Sequence, residues 1–216
     1  MEDTNMINDI MSYVKNQFKN DSSGHDWWHT YRVYKLSTTI AQKENANVLL
    51  CQVAALLHDT VDKKLYTNIK IQYENIYQLL DRYNLSNDFI ESVIEIIEHI
   101  SFNGGKEHYS FPFIEGDIVR DADRLDSMGA IGIARTMCYS GHVGRPIHNP
   151  EILPRENLTA EIYHNGQDTA IVHFYEKLLK LKDLMITNAA KRIAKNRHDF
   201  LVMYLEEFLK EWDGIN

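Results

Sequence analysis

The chain has 216 residues, 44% hydrophobic and 25% charged, with 31 acidic against 23 basic side chains and a formal net charge of −8. This is the composition of a soluble globular protein long enough to bury a large core, and its sign argues against a broad electrostatic footprint on DNA or RNA. A small anionic substrate remains compatible, because a local metal and a few Lys or Arg side chains override a global charge.

No apolar stretch reaches the ~18 residues of a membrane span. Residues 1–5 lack a basic region followed by an apolar one, so no signal peptide is expected. The two cysteines, Cys51 and Cys138, read as small buried hydrophobes in a reducing compartment, neither a disulfide nor a zinc knuckle. A cytoplasmic protein is expected.

Strand signals are scarce and helical periodicity recurs. A first helix over about 4–20 places Met6, Ile10, Tyr13, Val14 and Phe18 on one face. Ser22 or Ser23 is the expected N-cap of a second, over about 25–44, with Trp28, Tyr31, Val33, Leu36 and Ile40 mostly inward. A third, over about 47–59, carries the nearly unbroken apolar run from Val48 to Leu57 and reads as buried all round.

A polar connection over 60–68 leads to a helix at about 70–83. Ser86 then caps an amphipathic helix with Phe89, Val93, Ile96, Ile97 and Ile100 in a stripe. Residues 102–112 read as loop, with Gly104-Gly105 and Pro112 as punctuation. Helices over about 115–126 and 127–140 carry Ile118, Val119, Leu125, Met128, Ile131, Ile133 and Met137. The stretch 141–157 holds three of the four prolines and reads as a long, functional loop. Two long helices, about 167–183 and 188–212, close the chain. The expected architecture is all-α: a single domain over 1–216, with its core at about 25–140 and the helices of 167–212 packed on it.

His-Asp occurs three times, at His25-Asp26, His58-Asp59 and His198-Asp199. Only His58-Asp59 follows the apolar run, and a His and an Asp delivered into the interior must be paired, hydrogen-bonded or ligated to a metal. His198-Asp199 lies among Lys191, Arg192, Lys195 and Arg197 and reads as a solvated face. His29, His58, Asp59 and Asp123 form a candidate metal site built from three helices. Adjacent residues on a helix point about 100° apart, so His58 and Asp59 reach one ion only near a helix end. His29 also fits an aromatic boundary cluster with the packing pair Trp27-Trp28, and Asp121 and Asp126 compete with Asp123. Imidazole with carboxylate suits a transition metal better than calcium.

The spaced pattern of His29, His58-Asp59 and Asp123 resembles the HD-domain metal-dependent phosphohydrolases. A closer resemblance, to a small bacterial branch, is carried by Gly24-His25-Asp26-Trp27-Trp28-His29, by Ala55-Leu56-Leu57-His58-Asp59-Thr60-Val61-Asp62-Lys63 and by Asp121-Ala122-Asp123-Arg124-Leu125-Asp126. Gly129-Ala130-Ile131-Gly132-Ile133-Ala134-Arg135 and the run from His173 to Lys182 continue it. The resemblance implies an all-helical HD-domain bundle with a buried metal site, hydrolysing phosphate esters or anhydrides, and members of the branch are described as nucleoside triphosphate pyrophosphohydrolases.

In that reading one divalent ion (Mn, Ni, Fe, Co or Mg) is held by His29, His58, Asp59 and Asp123 and activates a water. Asp62 is the candidate acid or water-positioning group and Lys63 a phosphate holder. Arg32, one turn from His29, is a phosphate clamp, with Arg124, Arg135 and Arg145 as weaker candidates. The partner is a small phosphorylated substrate, a nucleotide by preference, and a homodimer is compatible. Three alternatives stand beside this. His25 and His29 mimic the spacing of HExxH proteases but have Asp26 where Glu is required. His99 and His108, otherwise read as surface histidines, would complete a dinuclear phosphodiesterase or oxygenase site. A non-catalytic nucleotide sensor would keep the metal and lack turnover.

Overall fold

The computed structural model describes residues 2–19, 26–61, 68–100, 109–155 and 168–215, and all regular structure among them is helical. The chain is all-α. Its packing divides into two compact units, one built from the elements up to Asp123 and the other from Arg124 onward.

The first unit begins with α1 (Glu2–Gln17), where Met6, Ile10 and Val14 are buried along one face. The helix α2 (Trp27–Glu44) is capped by Asp26, not by either serine, and Ser22 and Ser23 lie outside the described residues. Val33 and Ile40 point inward as expected. Trp28 does not: it is 59% exposed, at the edge of a ring cluster with Trp27 and Tyr31. The apolar run forms α3 (Val48–Leu57), with the Asn47 side chain accepting from the Leu50 N–H. Val53 through Leu57 are wholly buried, and α3 packs against α1, α2 and α5. Each such Leu contributes about 1.5–3 kcal/mol of burial, which makes α3 the axis of this unit.

The helices α4 (Ile69–Asp81) and α5 (Asn87–His99) follow, the latter capped by Ser86 as its sequence requires. In α6 (Ile114–Asp126), Gly116 lies under Phe111, whose Cγ would stand 2.2 Å from an added Cβ. Glu115 Oε1 accepts from the Asn47 N–H at 2.8 Å, tying the start of α6 to the start of α3.

In the second unit, α7 (Gly129–His142) packs on the long closing helix, here α9 (Asn188–Trp212). The described part of the long loop, 143–155, presents Pro146 and Ile147 carbonyls to the N–H groups of Ala170 and Ile171 at 2.9 and 3.0 Å. The expected helix over 167–183 is broken. It is helical only in α8 (Ala170–Glu176), turns at Lys177 (φ −130°, ψ −62°) and continues as a 3-10 helix over Leu178–Leu184. Leu178 and Leu181 are buried three residues apart, which suits the three-residue turn of that helix. Cys138 also departs from expectation. It is exposed, whereas Cys51 is buried in α3 and its thiol is pushed upward chiefly by desolvation.

Candidate metal centre

Helix ends place the ligand-type side chains. The α3 helix stops at Leu57, where Thr60 returns both its N–H and its hydroxyl to the Leu57 carbonyl at 3.0 and 2.7 Å. His58 is the C-cap and Asp59 lies past the last helical residue, so the adjacent pair can turn toward one point. His29 sits in the first turn of α2, its backbone N–H donating to Asp26 Oδ1 at 2.7 Å. Asp123 comes from α6.

These side chains converge. His29 Nε2 lies 3.3 Å from His58 Nε2, 3.4 Å from Asp59 Oδ2 and 3.4 Å from Asp123 Oδ1. His58 Nε2 lies 3.3 Å from Asp59 Oδ2 and 3.9 Å from Asp123 Oδ1. Donors held at roughly 2 Å from a common ion stand about 3–4 Å from one another, which is the spacing of His29 and His58 to each other and to both carboxylates, so these residues are a candidate transition-metal centre. His29, His58 and Asp59 are buried, while the Asp123 side chain is 29% exposed and leaves an approach from solvent. Burial pushes the Asp123 carboxyl up, but the hydrogen bond from His29 and the charges of His58 and His29 outweigh it, against an opposing push from Asp59. The net displacement is downward, so the carboxylate is in its ligating form.

His58 Nδ1 lies 2.8 Å from the Ala55 carbonyl, which orients the ring from behind. Of the competing aspartates, Asp126 is paired with Arg135 Nη1 at 2.9 Å and Asp121 is fully buried. Among the described residues, metal-type ligands cluster at His29, His58 and Asp59. His99 is exposed, stacked 3.8 Å over Tyr109, and His108 lies outside the described residues.

Asp62 and Lys63 also lie outside the described residues. Arg32 is half-buried on α2. In the second unit Arg124 donates to the Leu184 carbonyl at 2.7 Å, and Arg145 pairs with Asp168 at 2.8 Å across the Tyr139 ring. Arg120 lies outside the sequence-predicted set. Buried on α6, it donates to the Tyr109 carbonyl at 2.6 Å, pairs with Asp117 and lies over Phe111. The i, i+3 spacing of Asp117 and Arg120 was the available signal.

The HD domain family model matches residues 27–128, which bracket the whole cluster. The chain is 33% identical to Bacillus subtilis YpgQ over 217 residues, covering 100% of this chain and 98% of that one. It belongs to the HD-domain superfamily of metal-dependent phosphohydrolases.

This HD-domain protein superposes on a crystal structure from Lactobacillus plantarum with a TM-score of 0.82 and 39% identity, covering 97% and 98% of the two chains. For a Bacillus thuringiensis HD-superfamily hydrolase the values are 0.78 and 38%, covering 98% of each. For B. subtilis YpgQ in complex with ADP they are 0.77 and 34%, covering 97% and 100%. Family and cluster together support binding of a divalent metal. Among the described residues, no helix is long and apolar enough to cross a membrane.

Proposed function

We propose that this HD-domain protein is a cytoplasmic, metal-dependent pyrophosphohydrolase that converts nucleoside or deoxynucleoside triphosphates to monophosphate and pyrophosphate. The observation that carries the reading is the convergence of His29, His58, Asp59 and Asp123 at 3.3–3.9 Å with solvent access past Asp123. A nucleotide substrate is supported by the relative YpgQ, whose structure is a complex with ADP.

The two imidazoles and two carboxylates would hold one divalent ion, of the Mn, Ni, Fe, Co or Mg type. When bound, that ion supplies an activated water and neutralises phosphoryl charge. In the reaction a bond forms between the water oxygen and the α-phosphorus. The bond to the β-phosphate oxygen breaks, and pyrophosphate leaves. Asp62, just beyond the His58-Asp59 pair, positions the water or handles its proton, and Lys63 holds a phosphate oxygen. Arg32, one turn from His29 on α2, clamps the polyphosphate. Arg124, Arg135 and Arg145 are already engaged by the Leu184 carbonyl, Asp126 and Asp168, and stay the weaker candidates for an anion.

The test is product identity. Full-length protein with Mn²⁺ and a nucleotide panel is expected to release pyrophosphate and the matching monophosphate. Orthophosphate as the first product, or saturable nucleotide binding with no turnover under any divalent metal, would overturn the assignment.

A further inference from the structure

Asp26 belongs to a His-Asp pair that the functional reading leaves without a role. Its backbone is extended (φ −77°, ψ 168°), its carbonyl accepts from the Thr30 N–H at 3.3 Å, and its Oδ1 accepts from the His29 N–H at 2.7 Å. These two bonds close the first turn of α2. His29 is the third residue of that turn and only 1% exposed, and its Nε2 must meet three other donor atoms at 3.3–3.4 Å. First-turn amides have no intrahelical acceptor, so without a cap that turn frays. Fraying would carry the imidazole off the cluster.

Each histidine has a backbone group that helps to hold it. His58 is oriented through its ring, by the Ala55 carbonyl. His29 is oriented through its backbone, by Asp26. We infer that Asp26 is a positioning residue for the metal-binding His29, its helix cap holding the imidazole in place before the ion arrives. This rests on the metal-site reading above.

Calorimetric titration of metal-stripped, full-length protein with Mn²⁺ tests it, with no dependence on turnover. Asp26→Ala is expected to weaken Mn²⁺ binding about tenfold, the size of effect typical when a ligand loses the group that orients it. Asp26→Asn retains an oxygen that caps equally well and is expected to bind as the wild type does. Ser86→Ala removes the same kind of cap from α5, which brings no donor to the cluster; it should lower the melting temperature and leave Mn²⁺ affinity unmoved. If Asp26→Ala does not fold, Asp26→Gly carries the comparison, because glycine is tolerated at an N-cap yet has no acceptor oxygen. Wild-type affinity in the alanine or glycine variant would overturn the inference alone. So would an Asp26→Asn defect as large as that of alanine, which would assign the effect to charge. Absence of Mn²⁺ binding in the wild type would overturn both this and the metal-site reading.

Discussion

His58 Nδ1 faces the Ala55 carbonyl at 2.8 Å, and His58 Nε2 faces His29 Nε2 at 3.3 Å. A carbonyl only accepts, so Nδ1 faces it as the N–H, and in the neutral, metal-binding form of the ring Nε2 presents its lone pair inward. Lone pairs and carboxylates turned toward one another are stabilised by a cation. Mn²⁺ at a hundredfold excess over its Kd is expected to add about 2.7 kcal/mol of stability, a rise in melting temperature of roughly 5–10 °C for a chain of this size. Asp59→Ala should abolish both the rise and the metal retained after desalting, read by elemental analysis. Full retention of metal and activity in that variant would remove Asp59 from the ligand set.

His173, on α8, gives the second unit a pH dependence. Burial, then the charges of Lys177 and Arg145, push its pKa down from 6.5 to about 3. The folded state thus keeps this imidazole neutral where the unfolded chain protonates it. Stability is complete above pH 6.5 and falls as the pH drops from there toward 3. The loss by pH 5 is roughly 2 kcal/mol. Urea unfolding at pH 7 and pH 5 measures it, and His173→Gln should flatten the difference. An unchanged slope in that variant would show that His173 titrates normally.

Features that depend on local pattern were readable from residue order alone. The apolar run from Val48 to Leu57 reads as a buried helix, and Ser86 before an i, i+4 stripe reads as a cap, and both are found so, at the apolar residues from Leu50 to Leu57 and at the Phe89 N–H. Ser22 and Ser23 share the capping chemistry of Asp26, so residue type alone does not choose among them; the extended backbone of Asp26 and its bond from the His29 N–H mark it as the cap. The outward turn of Trp28 and the exposure of Cys138 depend on which neighbours cover each helix, which a periodicity does not state. The candidate cluster was readable because its ligands sit at helix ends and beside a core run. The pairing of Arg145 with Asp168, and of Arg155 with Glu176, joins residues 23 and 21 positions apart through loop geometry that leaves no periodic signal.

The Arg155–Glu176 pair should respond asymmetrically to truncation. Glu176 has no exposed side-chain surface, while Arg155 is 25% exposed and reaches the carboxylate with its backbone N–H, Nε and Nη2 at 2.8–2.9 Å. Arg155→Ala strands a buried carboxylate and is expected to cost about 3–5 kcal/mol. Glu176→Gln leaves a cation that can turn to solvent and should cost less, about 1–2 kcal/mol. Denaturant midpoints of the two variants decide it, and equal losses would mean that water reaches Glu176 in the folded protein.

Two glycines of α7 should respond in opposite directions to the same substitution. Gly129 has φ +67°, and a Cβ there would stand 3.0 Å from Arg197 Cγ, on the side chain that donates to the Leu125 carbonyl. Gly129→Ala therefore combines left-handed backbone strain with displacement of Arg197, for a loss of about 1–2 kcal/mol or more. Gly141 lies in the helix with nothing within 4 Å of an added Cβ. Gly141→Ala removes unfolded-state entropy without a clash and is expected to stabilise by about 0.5–1 kcal/mol. Melting temperatures of the two variants should move apart about the wild type. A destabilised Gly141→Ala would show that this face of α7 is covered in solution.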